Sequence, residues 1–567
     1  MFRKILYIFN EEKKITFMVI FISLFLISVL EILSIGSIFP VLSLLINQKS
    51  TNIQILDNIF FNDNFDQKIS IIYFLISISL IFIIKNISLG LFNWFKIKYS
   101  QKICLNLQEK LFRNYLKFPI KNFLKTNSSL LMRNIDGEPK LLLKQYINPF
   151  FILIQELFIS AVIMSLLFVT YPKIFGLIFL LFIIFVYPFY YFTKKTIKKL
   201  SIKRLFLVGQ KSTFLREGIE LIRDIKIYNK KNFFLKRYIK SNARVNFINL
   251  NIGFIGLLPK LFFEILIVIL GLFSTFIAVF FYDINMVSII PSLGLIGAVL
   301  FKIIPSSIKV ISQYQKMEGC RPSINLLNKI LENSEEYKNI NTGDIFEKFE
   351  KIQLKDIFYK YDQDYVIKNL NFEILKKDIV VIKGESGQGK STFINILSGL
   401  IKPSEGEIFV NNNKYLHDKM VTSKFGYVGA SNYFIDGDIR ENIYLKNKGE
   451  ITDQELNNLD NLMDIVELSN FKKHYDRLIG EKADKLSEGQ KQRLAIARAI
   501  AFRPDILIFD EATNSIDRET ESKIFNNIHK KIPEITLIVI THRDLKIENP
   551  HKLLFFYNKK LNETKSS

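Results

Sequence analysis

Only two cysteines, Cys104 and Cys320, occur among the 567 residues, and they lie far apart. That excludes a disulfide-stapled scaffold, and no CxxC or clustered Cys/His pattern supports structural zinc. Trp is represented once and His five times. Charge is scarce, at 23% of residues, whereas 49% are apolar and Phe alone occurs 53 times. A disordered chain needs low hydrophobicity, so disorder is excluded. Acidic residues are the sign in deficit: 54 Asp and Glu against 77 Lys and Arg leave a net +23. A chain both apolar and basic is either a nucleic-acid binder or a membrane protein with basic cytoplasmic loops. Where the charge lies decides between them.

Residues 15–46 hold one charge, Glu31; residues 69–95 hold only Lys85, and 148–170 only Glu156. Residues 174–193 hold none, 252–282 hold Lys260 and Glu264, and 287–312 hold Lys302 and Lys309. About 20 apolar residues cross a bilayer as a helix, so these runs predict six spans. They are too long and too numerous for buried core helices. The first is far longer than the h-region of a signal peptide and is expected to stay as the first span. Segment 96–147 carries 11 Lys/Arg against 3 Asp/Glu, and segment 194–250 carries 16 against 3. The two hold nearly all of the net charge. Positive loops stay cytoplasmic, which places both loops and both termini there and removes the need for a nucleic-acid partner. Each loop is about 50 residues and has apolar residues at helical spacing among its charges, as expected of spanning helices that extend into the cytoplasm. The expected organisation is a membrane domain over 1–318, a polar linker over 319–350, a soluble domain over 351–560 and a frayed tail over 561–567.

The soluble half opens on chemistry. The β-rich run DIVVIK (residues 378–383) leads into GESGQGKST, Gly384 to Thr392, and then into helical FINILSGL. Strand, glycine loop and helix are the context that a P-loop requires. Gly387 and Gly389 let backbone N–H groups face a β-phosphate, Lys390 reaches the β- and γ-phosphates, and the Ser391 hydroxyl ligates Mg²⁺. The helix N-terminus adds its dipole. Further on, the apolar ILIF ends in Asp510 and Glu511. Asp510 suits the Mg²⁺ site, and Glu511 is placed to polarise an attacking water. Between them LSEGQKQR, Leu486 to Arg493, opens a helix at which Ser487 and the Gly489 N–H can bind phosphate. The P-loop is already served by its own groups, so a second phosphate-binding helix suggests nucleotide shared between two copies. His542 ends the strand-like LIVITH, where it can contact the γ-phosphate.

These motifs, in this order, resemble the nucleotide-binding domain of the ATP-binding cassette (ABC) family over residues 351–560. The LSEGQ signature, the D-loop Asn514 to Asp517, and Ile479 to Glu481 as the exporter X-loop complete the match. The resemblance implies ATP and Mg²⁺ as cofactors. It implies that Tyr361 stacks on adenine, and that Gly384, Ser386, Gly387, Gly389, Lys390, Ser391, Thr392, Ser487, Gly489 and Gln490 bind nucleotide. Ser391 and Asp510 then hold the metal, and Glu511 and His542 are catalytic. The first 320 residues resemble the six-helix exporter membrane domain, with Glu217 to Lys230 similar to the family's segment near the second coupling helix. The implied fold is an α-helical six-span exporter domain fused to an α/β P-loop nucleotide-binding domain. The implied protein is a half-transporter of the bacterial inner membrane that pairs with a second, identical copy. Two departures stand out. Ala430 occupies the Q-loop position where the family has Gln, and Glu488 replaces the glycine that precedes Gly489 in the family's signature. Hydrolysis, slow if these matter, is still expected.

The cargo is read from charge inside the spans, which costs about 2.5–3.5 kcal/mol per group at the bilayer centre. Lys85, Lys260 and Lys302, on three helices, predict a cationic cavity for a hydrophobic or lipid-linked anion. Segments 25–45, 258–264 and 300–305 resemble the bacterial lipid-linked oligosaccharide flippase, and residues 53–61 suit its short external helix. Against this stand internal pairing, with Lys260 and Glu264 one helical turn apart, and snorkelling of Lys302 and Lys309. The rival functions are a peptide or drug exporter and a weakly hydrolysing ATP-binding regulator.

Overall fold

Four of the six apolar runs, and the first as far as Gly36, lie on helices in the computed structural model, which describes residues 14–36, 67–170, 172–281, 305–333, 349–361, 364–385, 387–411, 413–414, 424–472, 474–480, 483–543, 552–557 and 559–564. The helices are α1 (Lys14–Gly36), α2 (Gln67–Leu116), α3 (Asn148–Thr170), α4 (Pro172–Glu220) and α5 (Lys231–Phe281). The sixth run lies mostly outside the described residues and is helical from 305. At 1.5 Å per residue the 50-residue α2 is ~75 Å long, against a hydrocarbon core of ~30 Å. It runs unbroken from its apolar run into the basic segment, as α4 does, so each extends well past any bilayer. Among the described residues three helical stretches are long and apolar enough to cross a membrane: Ile78–Leu116, Ser128–Ser165 and Lys231–Phe262. Ile76, Ile83 and Leu91 on α2 are exposed. Large apolar side chains facing outward in rows suit a hydrocarbon surround rather than water.

Contacts divide the chain into two units, Met1–Phe118 with Lys125–Glu336, and Pro119–Leu124 with Tyr337–Ser567. The core of the first joins Leu24 of α1, Leu107 and Leu111 of α2, and Phe151 of α3 to Ile324, Leu327 and Leu331. The last three belong to α6 (Arg321–Asn333). The connector expected over 319–350 therefore begins as an amphipathic helix of the first unit: its apolar residues recur at helical spacing and bury one face. Residues 334–348 of that connector, and the external helix expected at 53–61, lie outside the described residues.

In the second unit six strands form the sheet that carries the chemistry, in the order β10-β9-β3-β8-β7-β6. They are β3 (Ile379–Gly384), β6 (Phe425–Gly429), β7 (Ile506–Asp510), β8 (Thr536–Ile540), β9 (Lys552–Tyr557) and β10 (Lys560–Thr564). β9, β3, β8, β7 and β6 are parallel, and β10 returns antiparallel to β9. Parallel strands are covered on both faces and read as unbroken apolar runs. β7 and β8 do so, with Leu507, Ile508, Phe509, Ile538 and Val539 all buried. An antiparallel sheet, β1 (Lys351–Tyr361), β2 (Asp364–Leu375), β4 (Glu405–Val410) and β5 (Asn413–Lys414), lies in the order β2-β1-β4-β5. The tail expected to fray contributes instead to β10, where Leu561 to Thr564 pair with β9; residues 565–567 lie outside the described residues.

Candidate nucleotide site

The parallel sheet brings the C-terminal ends of β3, β7 and β8 side by side, the edge at which open α/β sheets bind ligands. β3 ends at Gly384, and α7 (Lys390–Leu397) starts after the glycine loop. Gly389 caps that helix with φ +111°, and a Cβ there would lie 2.9 Å from the Val366 carbonyl oxygen. Only glycine fits both demands. The loop is therefore a cradle whose N–H groups open toward an anion at the start of α7. Thr392 is buried in the first turn, and Ser386 lies outside the described residues.

Lys390 is buried and reaches back across the loop. Its Nζ donates to the Gly384 carbonyl, to the Glu385 carbonyl at 3.4 Å, and lies 2.8 Å from His542 Nε2. The Glu511 carboxylate is 3.8 Å from the same ammonium and 3.0 Å from His542 Nε2. Burial lowers the Lys390 pKa, opposed by the Glu511 and Asp510 carboxylates. Lys390, Glu511 and His542, far apart in sequence, form one cluster. Glu511 itself has φ +54°, the left-handed region, with its N–H held by the Ile540 carbonyl at 3.0 Å. A non-glycine residue there stores strain of about 1–3 kcal/mol and persists where the surroundings enforce it, often at functional sites.

The metal reading is tested by the donors at the end of β7. Ser391 Oγ donates to Asp510 Oδ2 at 3.4 Å, so two hard oxygen donors stand beside each other, a set of the kind that Mg²⁺ takes. Burial raises the Asp510 carboxyl above the usual range; hydrogen bonds from Tyr427 and Ser391 oppose this. Tyr427, absent from the sequence reading, donates its hydroxyl to the same Oδ2 at 3.2 Å. The residue as a whole is exposed, but loss of water around its hydroxyl, then the Asp510 charge, raises its pKa and keeps it protonated. An aromatic on the strand just before the departed Q-loop position was the available signal. Arg543, next to His542, was also missed; its guanidinium donates to the D-loop carbonyls of Asn514, at 2.7 Å, and Ile516.

The signature stands apart, at the start of α8 (Glu488–Ala501). Ser487 caps it: its Oγ accepts from the Gln490 N–H at 3.2 Å, and Gln490 Oε1 accepts from the Ser487 N–H at 2.9 Å. The substituted Glu488 is exposed and paired with Lys491 at 2.9 Å, so its charge is locally answered. Gly489 packs close to the D-loop, where a Cβ would lie 2.9 Å from the Ser515 carbonyl oxygen. Tyr361 ends β1, its ring edge-on to Tyr359 at 5.0 Å. Ala430 is exposed just past β6, and Glu481 of the X-loop lies outside the described residues.

The cavity lysines are not drawn together by the described contacts. Lys260 is exposed and 3.9 Å from Glu264. The Lys85 ammonium sits 4.4 Å from the centre of the Phe82 ring. Lys302 and the Glu31 side chain lie outside the described residues. Lys309 does not simply snorkel: it holds the buried Glu156 carboxylate at 2.7 Å.

The ABC transporter family model matches residues 367–514, and that of the ABC transporter transmembrane region matches residues 44–304. The leukotoxin export ATP-binding protein LtxB of Aggregatibacter actinomycetemcomitans is 30% identical over 45% of this chain and 36% of its own length. The sublancin-168-processing and transport ATP-binding protein SunT of Bacillus subtilis is 36% identical over 36% of this chain and 29% of its own. The α-hemolysin translocation ATP-binding protein HlyB of Escherichia coli O157:H7 is 32% identical over 36% and 30%. The chain thus spans about a third of the length of these relatives. A solved bacterial Atm1-family ABC exporter with ATP bound shares the fold over 97% of this chain and 95% of its own, with TM-score 0.79 at 18% identity. The two family models lie in order along one chain and between them match more than half of it, and the chain belongs to the ABC transporters, with the half-transporter arrangement of one membrane region followed by one ATP-binding domain.

Proposed function

We propose that this chain hydrolyses ATP and uses the energy to move a cargo outward across the bacterial inner membrane, its termini and basic loops on the cytoplasmic side. The observation that carries this is the joining of Lys390, Glu511 and His542 beside the Ser391 and Asp510 oxygens. Lys390 exchanges its carbonyl and imidazole partners for phosphate oxygens. Glu511 orients water and takes its proton as oxygen attacks the γ-phosphorus and the bond to ADP breaks. His542, between Lys390 and Glu511, holds the γ-phosphate. Ser391 and Asp510 would hold Mg²⁺, which when bound would supply positive charge against the phosphate oxygens. Ser487 and Gly489 complete the site on a second copy of the chain. The test is ATPase of the purified full-length chain, with Glu511→Gln as the control that binds without turnover.

For the cargo, the lysines of the spans and the flippase-like segments support a phosphorylated, lipid-linked anion. A second reading, export of a peptide, is favoured by the relatives, which are named for leukotoxin, sublancin and α-hemolysin. ATPase in proteoliposomes separates them. Stimulation by lipid-linked oligosaccharide with flipping supports the first; stimulation by peptides alone supports the second.

A further inference from the structure

The carboxylate of Asp510 is steered by a side chain that comes from the neighbouring strand. In the parallel pairing of β6 and β7, Tyr427 stands opposite Ile508 and Gly429 opposite Asp510. Residues two apart on a strand share a face, so the Tyr427 ring must pass over position 429 to reach the end of β7. It does so: the hydroxyl lies 3.2 Å from Asp510 Oδ2. A Cβ at 429 would sit 3.0 Å from that hydroxyl and 3.2 Å from ring Cε1, closer than a methyl tolerates without moving the ring. Glycine at 429 keeps the lane open. The same Oδ2 accepts from Ser391 at 3.4 Å, so two hydroxyls converge on one oxygen from two elements. Neighbouring Ala430 has no side-chain donor to contribute.

We propose that Tyr427 is a positioning residue of the nucleotide site: its hydroxyl, admitted by Gly429, fixes the orientation of the Asp510 carboxylate for the divalent ion. This rests on reading the site as one for ATP with Mg²⁺. Partners that hold a metal-ligating carboxylate from outside set its geometry, and losing one typically costs 10–100-fold in metal affinity. The hydroxyl acts through Asp510 and has no duty toward the nucleotide, so its loss falls on the metal-dependent part of binding.

The experiment uses the full-length protein and two titrations: Mn²⁺ followed by EPR with a non-hydrolysable ATP analogue present, and the analogue alone in EDTA. Tyr427→Phe is expected to weaken Mn²⁺ about tenfold and leave metal-free analogue binding unchanged. Gly429→Ala, which keeps the tyrosine but crowds its ring, is expected to give a smaller loss of the same selective kind. Unchanged Mn²⁺ affinity in Tyr427→Phe overturns the proposal, as does an equal loss in both titrations, which marks a general structural role. An unaltered protein that binds neither Mn²⁺ nor analogue overturns the reading of the site as well.

Discussion

A glutamate at φ +54° pays a backbone strain that glycine would avoid, and Glu511 keeps it because β7 and β8 grip its peptide N–H from the Ile540 side. The result aims its carboxylate at His542 and Lys390 rather than at solvent. Glu511→Gln retains size and hydrogen bonding but cannot take a proton. ATP binding should persist while hydrolysis falls about 100-fold or more, the usual worth of a positioned base; unchanged turnover would remove Glu511 from the mechanism. Lys390→Ala should instead weaken nucleotide binding itself, because the phosphates lose a buried cation; equilibrium ATP binding checks this. At 430 the expectation is conditional on coupling: Ala430→Gln should raise basal or cargo-stimulated ATPase if that position limits turnover. Equal rates would mean that other groups have taken over metal and interface sensing, or that this loop does not limit turnover. The glycine loop was legible because its demands are local: Gly389 must adopt φ +111° whatever else the chain does. Tyr427 was not, because a tyrosine on a strand looks like packing until the neighbouring strand and its register are known.

Between elements, charge inside the first unit is handled by pairing. Glu156 of α3 is buried, and its carboxylate takes Lys309 at 2.7 Å, while Ser306 donates to the Glu156 carbonyl and meets Ser160 at 2.8 Å. Removing the lysine leaves the buried carboxylate without its cation, at a cost below that of breaking a fully buried pair because Lys309 is itself half exposed. Lys309→Ala should therefore lower the melting temperature of the purified protein, and adding Glu156→Gln should recover much of the loss. A double variant as unstable as the single one would show that the lysine stabilises by packing instead. The sequence marked both residues as intramembrane charges but read Lys309 as reaching for the interface. The choice between snorkelling and pairing depends on which helix lies alongside, and no property of residues 287–312 alone supplies that.

For the molecule as a whole, one membrane region and one ATP-binding domain make half of the site. Ser487 caps α8, and on the proposed reading its hydroxyl and the Gly489 N–H would meet phosphate when another copy supplies the P-loop. The purified protein should accordingly run at about twice the 66.3 kDa chain mass, corrected for detergent, and Glu511→Gln with ATP should lock the two domains together. A chain that stays monomeric yet hydrolyses ATP at full rate would defeat the shared site. Alanine at Lys85, Lys260 and Lys302 tests the cargo reading: lost stimulation by phosphorylated lipid supports a cationic cavity, whereas loss of stability with stimulation intact assigns these lysines to structure. Lys260 already has Glu264 nearby, so its removal should show more in stability than in cargo response.

Much of this protein was decided along the chain. Runs of some twenty apolar residues need a hydrocarbon phase wherever they occur, and strand, glycine loop and helix make a phosphate cradle from consecutive residues. Likewise the basic segments flanking the runs announce helices that outlast the bilayer, and α2 and α4 have that length. What only the folded chain decided are the meetings across the sheet edge. Lys390 and His542 are 152 positions apart, and Tyr427 and Asp510 are 83 apart. Both meetings follow from the strand order β3-β8-β7-β6, since a parallel sheet lines up the C-terminal ends of strands that the sequence keeps distant. Local periodicity determines that a strand exists; which strand lies beside it is set by burying both faces of the whole sheet at once, and that sum is not written in any one segment.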